Sequence, residues 1–120
     1  MPFVPRLLIA LVALSLPFQT AVALEMVDRI KATMSLTIAF APNSYPISFR
    51  GEDGEPNGYT VDLCRRIAAG IQRDLGLARL DLRWLEGNTP RRLAAVANGE
   101  ADLDCGTTTI NLQRQRVVDF

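Results

Sequence analysis

The stretch Gly58–Gly76, GYTVDLCRRIAAGIQRDLG, decides the fold class of this chain. Apolar residues recur in it every three or four positions, which predicts an amphipathic α-helix over Thr60–Leu75. Asp62 falls in the first turn, where a carboxylate complements the helix dipole, and Gly76 ends the helix. The residues expected on the buried face are Val61, Cys64, Ile67, Ala68, Ile71 and Leu75.

Short runs with strand character lie on both sides of this helix. Before the helix we predict a strand over Leu36–Phe40 and a strand-like piece over Ile47–Arg50. After it we predict a strand over Leu80–Leu85, a helix over Pro90–Asn98 and a strand over Ala101–Cys105. A short helix that begins at Leu112, with Asn111 as its cap, follows. Strands that alternate with helices in this way predict an α/β fold with a mostly parallel sheet.

The composition is that of one ordinary globular domain. Of the 120 residues, 48% are hydrophobic and 22% are charged, and the formal net charge is zero. A zero balance gives no indication of a nucleic-acid partner. Histidine is absent, which excludes Ser-His and Cys-His nucleophile pairs and histidine metal sites. We predict neither a metal site nor another cofactor.

The first 23 residues are typical of a secretory signal peptide. Arg6 precedes the apolar run Leu7–Leu16, and the small residues of Ala21–Ala23 follow it. The run is too short for a membrane core, which needs about 20 apolar residues. We predict cleavage after Ala23 and export to a bacterial periplasm, with a polar N-terminal arm over residues 24–35 and a folded region over residues 36–120.

The two cysteines are both expected to point inward. Cys64 lies on the apolar face of the predicted helix, and Cys105 ends the strand Ala101–Cys105. Export favours oxidation, so one interpretation is a Cys64–Cys105 disulfide. The alternative is two buried free thiols that act as small hydrophobic residues.

Polar residues follow the last predicted strand in DCGTTTINLQR, Asp104–Arg114. Open α/β sheets bind ligands at this place, past the carboxyl end of a strand. Gly106 would let a ligand approach the backbone, and Thr107, Thr108 and Thr109 offer hydroxyl and N–H donors. Arg114 would lie in a first helical turn, which disfavours a cation unless an anion binds there. The alternative is a solvated arginine beside threonines that serve only the strand and the cap.

Three motifs are similar to those of a known family. They are Gly58–Leu63, then Arg92-Leu93 with Asn98–Asp102, then Thr107–Arg114 ahead of Val117–Phe120. In type, order and spacing they resemble the first lobe of the bacterial amino-acid solute-binding proteins of ABC transporters. The resemblance implies a type II periplasmic-binding-protein fold, three-layered around a mostly parallel sheet. It also implies that this chain is incomplete and holds most of the first lobe only.

The resemblance assigns roles to four residues of the predicted site. Arg114 and the N–H of Thr109 would hold the α-carboxylate of an amino acid, and Thr107 would meet its α-amino group. The Cys-Gly-Thr-Thr-Thr form looks most like the glutamate/aspartate-binding branch, in which an arginine at Arg92 helps to hold the side-chain carboxylate. The alternative for Arg92 is a charge on the helix surface.

Three positions depart from the pattern of the family, and one of them is Ile110, where the family usually has a polar residue. A second arginine of the glutamate/aspartate branch, just after the first strand, corresponds to Ala41. Ser44 stands where many relatives have an aromatic residue, with Tyr45 next to it. The resemblance therefore places Ser44 and Tyr45 at the binding site, while the sequence leaves the identity of the amino acid open.

The implied function is amino-acid binding in the periplasm by a monomer that delivers its ligand to an inner-membrane ABC permease, without catalysis. One alternative is an enzyme on the same fold, similar to the cyclohexadienyl dehydratases. Such an enzyme needs a general acid in the cleft, and no Asp or Glu occurs in Pro42–Tyr45, Gly87–Arg92 or Gly106–Arg114. A truncated remnant that binds nothing is the other alternative.

Overall fold

A computed structural model describes residues 19–120. Its helices are α1 (Gln19–Thr33), α2 (Tyr59–Asp74) and α3 (Thr89–Ala97), and its strands are β1 (Ser35–Phe40), β2 (Asn43–Ser44), β3 (Ser48–Arg50), β4 (Pro56–Asn57), β5 (Asp81–Glu86) and β6 (Leu103–Cys105). Most of the predicted signal peptide lies outside the described residues. Among the helices of residues 19–120, none combines the length and the apolar character needed to cross a membrane.

Strand β1 is the centre of the fold. It pairs in parallel with β5 on one side and β6 on the other, so that Ile38 lies opposite both Trp84 and Leu103. Ile38 and Ala39 are completely buried although they point to opposite faces of the sheet. A strand buried on both faces is a continuous apolar run rather than an alternating one, as the sequence Leu36–Phe40 is.

Helices cover both faces of this sheet. On one face, Ile30 of α1 and Cys64 and Ala68 of α2 form a cluster with Leu36 and Ile38 of β1. On the other face, Ala95 of α3 contacts Ala39 of β1 and Ala101. The small side chains on the α3 side let that helix approach the sheet closely. The result is a three-layered α/β arrangement, as predicted.

A second, smaller sheet joins β2, β3 and β4 in antiparallel order. Ser48, which is fully buried, accepts a hydrogen bond from the N–H of Ala41 at 2.9 Å and so ties this sheet to the end of β1. The N–H groups of Tyr59 and Thr60 donate to the carbonyls of Pro46 and Ile47. These bonds fix the small sheet on the first turn of α2.

The predicted helices Thr60–Leu75 and Pro90–Asn98 and the predicted strands are confirmed, with ends displaced by one or two residues. One member of the predicted buried face of α2 is wrong, because Ile67 is 49% exposed. At 100° per residue, Ile67 lies roughly 80° from the centre of the buried face, at its margin. Val61, Cys64 and Ala68 are buried as expected.

The polar arm predicted over residues 24–35 is instead helical for most of its length. Residues up to Thr33 belong to α1, and Ser35 already belongs to β1. Arg29 forms an ion pair with Asp102, whose second carboxylate oxygen accepts the N–H of Thr37 at 2.8 Å. Among residues 25–33 of α1, whose side chains the structure describes, Ile30 alone is buried, and a single buried position is too weak a periodic pattern to indicate a helix in sequence.

Cys64 and Cys105 form a disulfide, with 6.3 Å between their Cα atoms. Of the two interpretations of the cysteines, the structure confirms the disulfide. The bond joins α2 to the end of β6, immediately before the threonine-rich segment. The core of the described region is thus crosslinked at the edge where the sheet ends.

Replacing both cysteines by alanine should lower the free energy of unfolding by about 4 kcal/mol. The reason is that the disulfide joins residues 41 positions apart and so restricts the unfolded chain. Urea denaturation of the wild type and the double variant measures this. Alkylation followed by mass measurement should label neither cysteine before reduction and both after it. Labelling of the folded protein without reductant would contradict the disulfide.

Gly58→Ala should destabilise the protein by about 3 kcal/mol. Gly58 has φ +115°, and a Cβ there would lie 2.5 Å from the carbonyl oxygen of Ile47. The matched control is Gly76→Ala, at φ +64° with no atom within 4 Å of the added Cβ, which should cost about 1 kcal/mol. Equal urea midpoints for the two variants would refute the steric argument.

Candidate functional site

All six residues predicted from the sequence to form the site lie beyond the carboxyl ends of the parallel strands. Ser44 and Tyr45 follow β1, Arg92 follows β5, and Thr107, Thr109 and Arg114 follow β6. Because the three strands are parallel, these ends share one edge of the sheet. Ligands of open α/β sheets bind outside this edge.

Arg114 is half-buried and is held by its own loop. Its backbone N–H donates to the side-chain oxygen of Asn111 at 2.9 Å, and its Nη1 donates to the carbonyl of Thr109 at 2.7 Å. Among the side chains that the structure describes, no carboxylate forms an ion pair with Arg114. A guanidinium has five N–H donors, so most of those of Arg114 remain available to an anion.

The helix predicted from Leu112 is only a 3-10 turn over Arg114–Arg116. Asn111 does accept a backbone N–H, as a capping residue does, but no regular α-helix follows. Thr107 and Thr109 are both exposed. Residues 106–114, which we call the threonine loop, therefore lack regular helix or strand before Arg114, and the side chains of Thr107 and Thr109 are exposed.

Arg92 is the largest fully buried side chain of the described region, at 2% exposure. Its Nε donates to Oδ1 of Asp104 at 2.8 Å, and its Nη1 donates to the carbonyl of Gly87 at 2.7 Å. Its Nη2 lies 3.1 Å from Oγ1 of Thr108, which in turn donates to Oδ2 of Asp104 at 2.6 Å. These contacts make a closed ring of Arg92, Asp104 and Thr108, which we call the Arg92 ring.

The missing side chain of Gly106 leaves room for the guanidinium of Arg92. A Cβ at this position would lie 2.5–2.7 Å from that guanidinium. The guanidinium already has four hydrogen bonds that fix its place. Glycine is therefore required here by the Arg92 ring, and access of a ligand to its backbone stays a prediction.

Ser44 and Tyr45 belong to the small sheet and its loop. Tyr45 is 79% exposed, and its ring contacts Phe49 edge-on at 4.9 Å between centroids. The Oγ1 of Thr60 lies 2.9 Å from the carbonyls of both Ile47 and Cys105. Thr60 therefore connects the small sheet to the start of the threonine loop.

A groove of about 310 Å³ opens beside Arg114. Its lining is formed by Thr89, Pro90, Leu93, Gln113, Arg114 and Val117. Three of these side chains are apolar, and of the six predicted site residues Arg114 alone lines the groove. In residues 19–120 no cluster of three or more His, Cys, Asp or Glu side chains could hold a metal ion.

Residues 36–120 match the family of bacterial extracellular solute-binding proteins, family 3. This chain belongs to that family. Over its whole length it is 34% identical to the L-glutamate/L-aspartate-binding protein of Pseudomonas aeruginosa, of which it spans 41%. The chain therefore spans about two fifths of the length of this curated relative.

Two solved structures share the fold. One is the arginine-bound form of domain 1 from TmArgBP, in a Phe57Trp mutant, with a TM-score of 0.65 and 26% identity over 78% of this chain and 67% of that one. The other is the ancestral amino acid-binding protein AncCDT-1, described as a precursor of cyclohexadienyl dehydratase. Its TM-score is 0.61 at 21% identity, over 75% of this chain and 37% of that one. The predicted type II periplasmic-binding fold is thus confirmed.

The alternative that Arg92 is a surface charge is wrong, since its side chain is buried and paired. Sequence reasoning overlooked two residues of this edge, Asp104 and Thr60, and it did not foresee that the hydroxyl of Thr108 bonds Arg92 and Asp104. The signal for Asp104 was present, because a carboxylate in a short apolar strand, twelve residues after an arginine, needs a buried partner. Nothing in the sequence alone identified which of the adjacent residues Arg91 and Arg92 that partner is.

Arg92→Ala should lower the free energy of unfolding by about 3–5 kcal/mol, because it leaves the largely buried Asp104 without its cation. Arg91→Ala is the matched control. Arg91 pairs with Glu100 at the surface, where both side chains are nearly half exposed, and should cost less than about 1 kcal/mol. Denaturant unfolding compares the two, and equal losses of stability would contradict the buried ion pair.

Proposed function

We propose that this chain binds a free α-amino acid at the carboxyl edge of its sheet, as part of a monomeric periplasmic protein that delivers the ligand to an ABC permease. The observation that carries the proposal is the half-buried Arg114, which has no carboxylate partner among the described residues. Its guanidinium contacts the carbonyl of the exposed Thr109 at 2.7 Å, and the exposed Thr107 belongs to the same loop. A carboxylate placed there would accept charge-assisted bonds from the guanidinium and from loop N–H groups.

The remaining predicted residues supply further contacts. Thr107 would meet the α-amino group, and Ser44 and Tyr45 would border the ligand from the small sheet. The glutamate/aspartate-binding name of the Pseudomonas aeruginosa relative supports a dicarboxylic amino acid. Arg92 stays a predicted contact for a side-chain carboxylate, with one of its five N–H donors left outside the hydrogen bonds of the protein.

The hydrogen bonds of Asp104, the carboxylate that contacts Thr108, favour a binding role over the dehydratase alternative. A general acid must reach the substrate with an available proton. Asp104 is engaged by Arg92 on one oxygen and by Thr108 on the other. The similarity to AncCDT-1 is a similarity of fold and assigns no chemistry to this chain.

The binding test can use the chain itself. The matched structure of domain 1 from TmArgBP is an arginine-bound form, which supports ligand binding by a chain of this extent. Isothermal calorimetry or NMR titration with glutamate, aspartate, glutamine and arginine measures the dissociation constants. If the folded wild type bound none of these amino acids, the result would support the alternative of a truncated remnant that binds nothing.

Arg114→Ala should weaken amino-acid binding by tens to thousands of fold, the range expected when a buried charge loses its partner. Arg116→Ala is the control, because Arg116 is an exposed residue of the same 3-10 turn and should leave the dissociation constant nearly unchanged. Equal effects of the two substitutions would refute the assignment of Arg114.

A further inference from the structure

The Arg92 ring lies directly under the loop that we propose for ligand binding. Thr108 is a member of the ring, and its neighbours Thr107 and Thr109 carry the proposed contacts. The guanidinium of Arg92 also lies against Gly106. A change of charge in the ring would therefore alter the electrostatic potential at Thr107 and Thr109, the residues that we propose to contact the ligand.

The net charge of the Arg92 ring depends on Asp104. Its side chain is 12% exposed, and that of Arg92 is 2% exposed. Solvent screens such a pair little, so the carboxylate offsets most of the field of the guanidinium at the loop. Without Asp104, a buried positive charge would remain beneath Thr107–Thr109.

We propose that Asp104 is a specificity-determining residue: by neutralising Arg92, it limits how strongly the site favours a ligand with a negatively charged side chain. The inference rests on the proposed function. Arg114 holds the α-carboxylate that every amino acid carries, and so does not distinguish one side chain from another. Arg92 is the residue that we propose for a side-chain carboxylate, and the net charge of the Arg92 ring is close to zero while Asp104 is present.

Glutamate and glutamine are the matched probes, since they are alike in size and differ by one charge. The measured quantity is the ratio of the dissociation constant of glutamine to that of glutamate. In Asp104→Asn this ratio should rise on the order of ten-fold above the wild-type value, because an uncompensated cation then attracts the extra carboxylate. Glu100→Gln removes the same charge from the exposed partner of Arg91 and should leave the ratio unchanged.

The outcomes separate the two proposals. A wild type that binds no amino acid overturns the proposed function and this inference together. A wild type that binds, with an Asp104→Asn ratio equal to its own, overturns the inference alone. An equal rise in Glu100→Gln also overturns it, because the effect would then belong to the net charge of the protein.

A second variant covers the case in which Asp104→Asn does not fold. The double variant Arg92→Gln with Asp104→Asn replaces the ion pair by a neutral hydrogen-bonding pair of similar shape. Because no uncompensated cation remains in this variant, the glutamine-to-glutamate ratio should not rise above the wild-type value. A rise on the order of ten-fold would show that the gain does not come from Arg92 and would overturn the proposal.

Discussion

A guanidinium removed from water has to be surrounded by acceptors, and the burial of Arg92 imposes that requirement on three separate parts of the chain. The end of β6 provides Asp104, the loop after it provides Thr108 and the bare backbone of Gly106, and the loop after β5 provides the carbonyl of Gly87. The carboxyl edge of the sheet is therefore organised around one side chain. The threonine loop takes its position from that side chain.

The local elements of the fold could be predicted because each leaves a periodic mark on the sequence. Helix α2 shows its buried face in Val61, Cys64 and Ala68, and β1 shows burial on both faces in an uninterrupted apolar run. The family motifs led to the prediction that Arg114 and the threonines bind the ligand, and these residues do lie beyond the carboxyl end of β6. The disulfide was foreseen as one of two interpretations, since helix face and strand end both directed the cysteines inward.

What the sequence could not provide were contacts between residues distant along the chain. Arg91 and Arg92 are adjacent and identical in type, yet one pairs with Glu100 at the surface and the other with Asp104 inside. A rotation of about 100° along the helix separates these outcomes. Helix α1 was overlooked for a related reason, because its docking depends on Ile30 and on a single ion pair to Asp102, 73 residues away.

The hydroxyl of Thr60 contacts the carbonyl of Ile47, which lies between β2 and β3, and the carbonyl of Cys105, which precedes the threonine loop. Together with the neighbouring disulfide, it links helix α2 to the small sheet and to the end of β6. A ligand that bound at a surface preorganised in this way would have little backbone freedom to suppress, so less of its binding energy would be lost to ordering the protein. Adjustment to different ligands would then be left to exposed side chains such as those of Thr107, Thr109 and Tyr45.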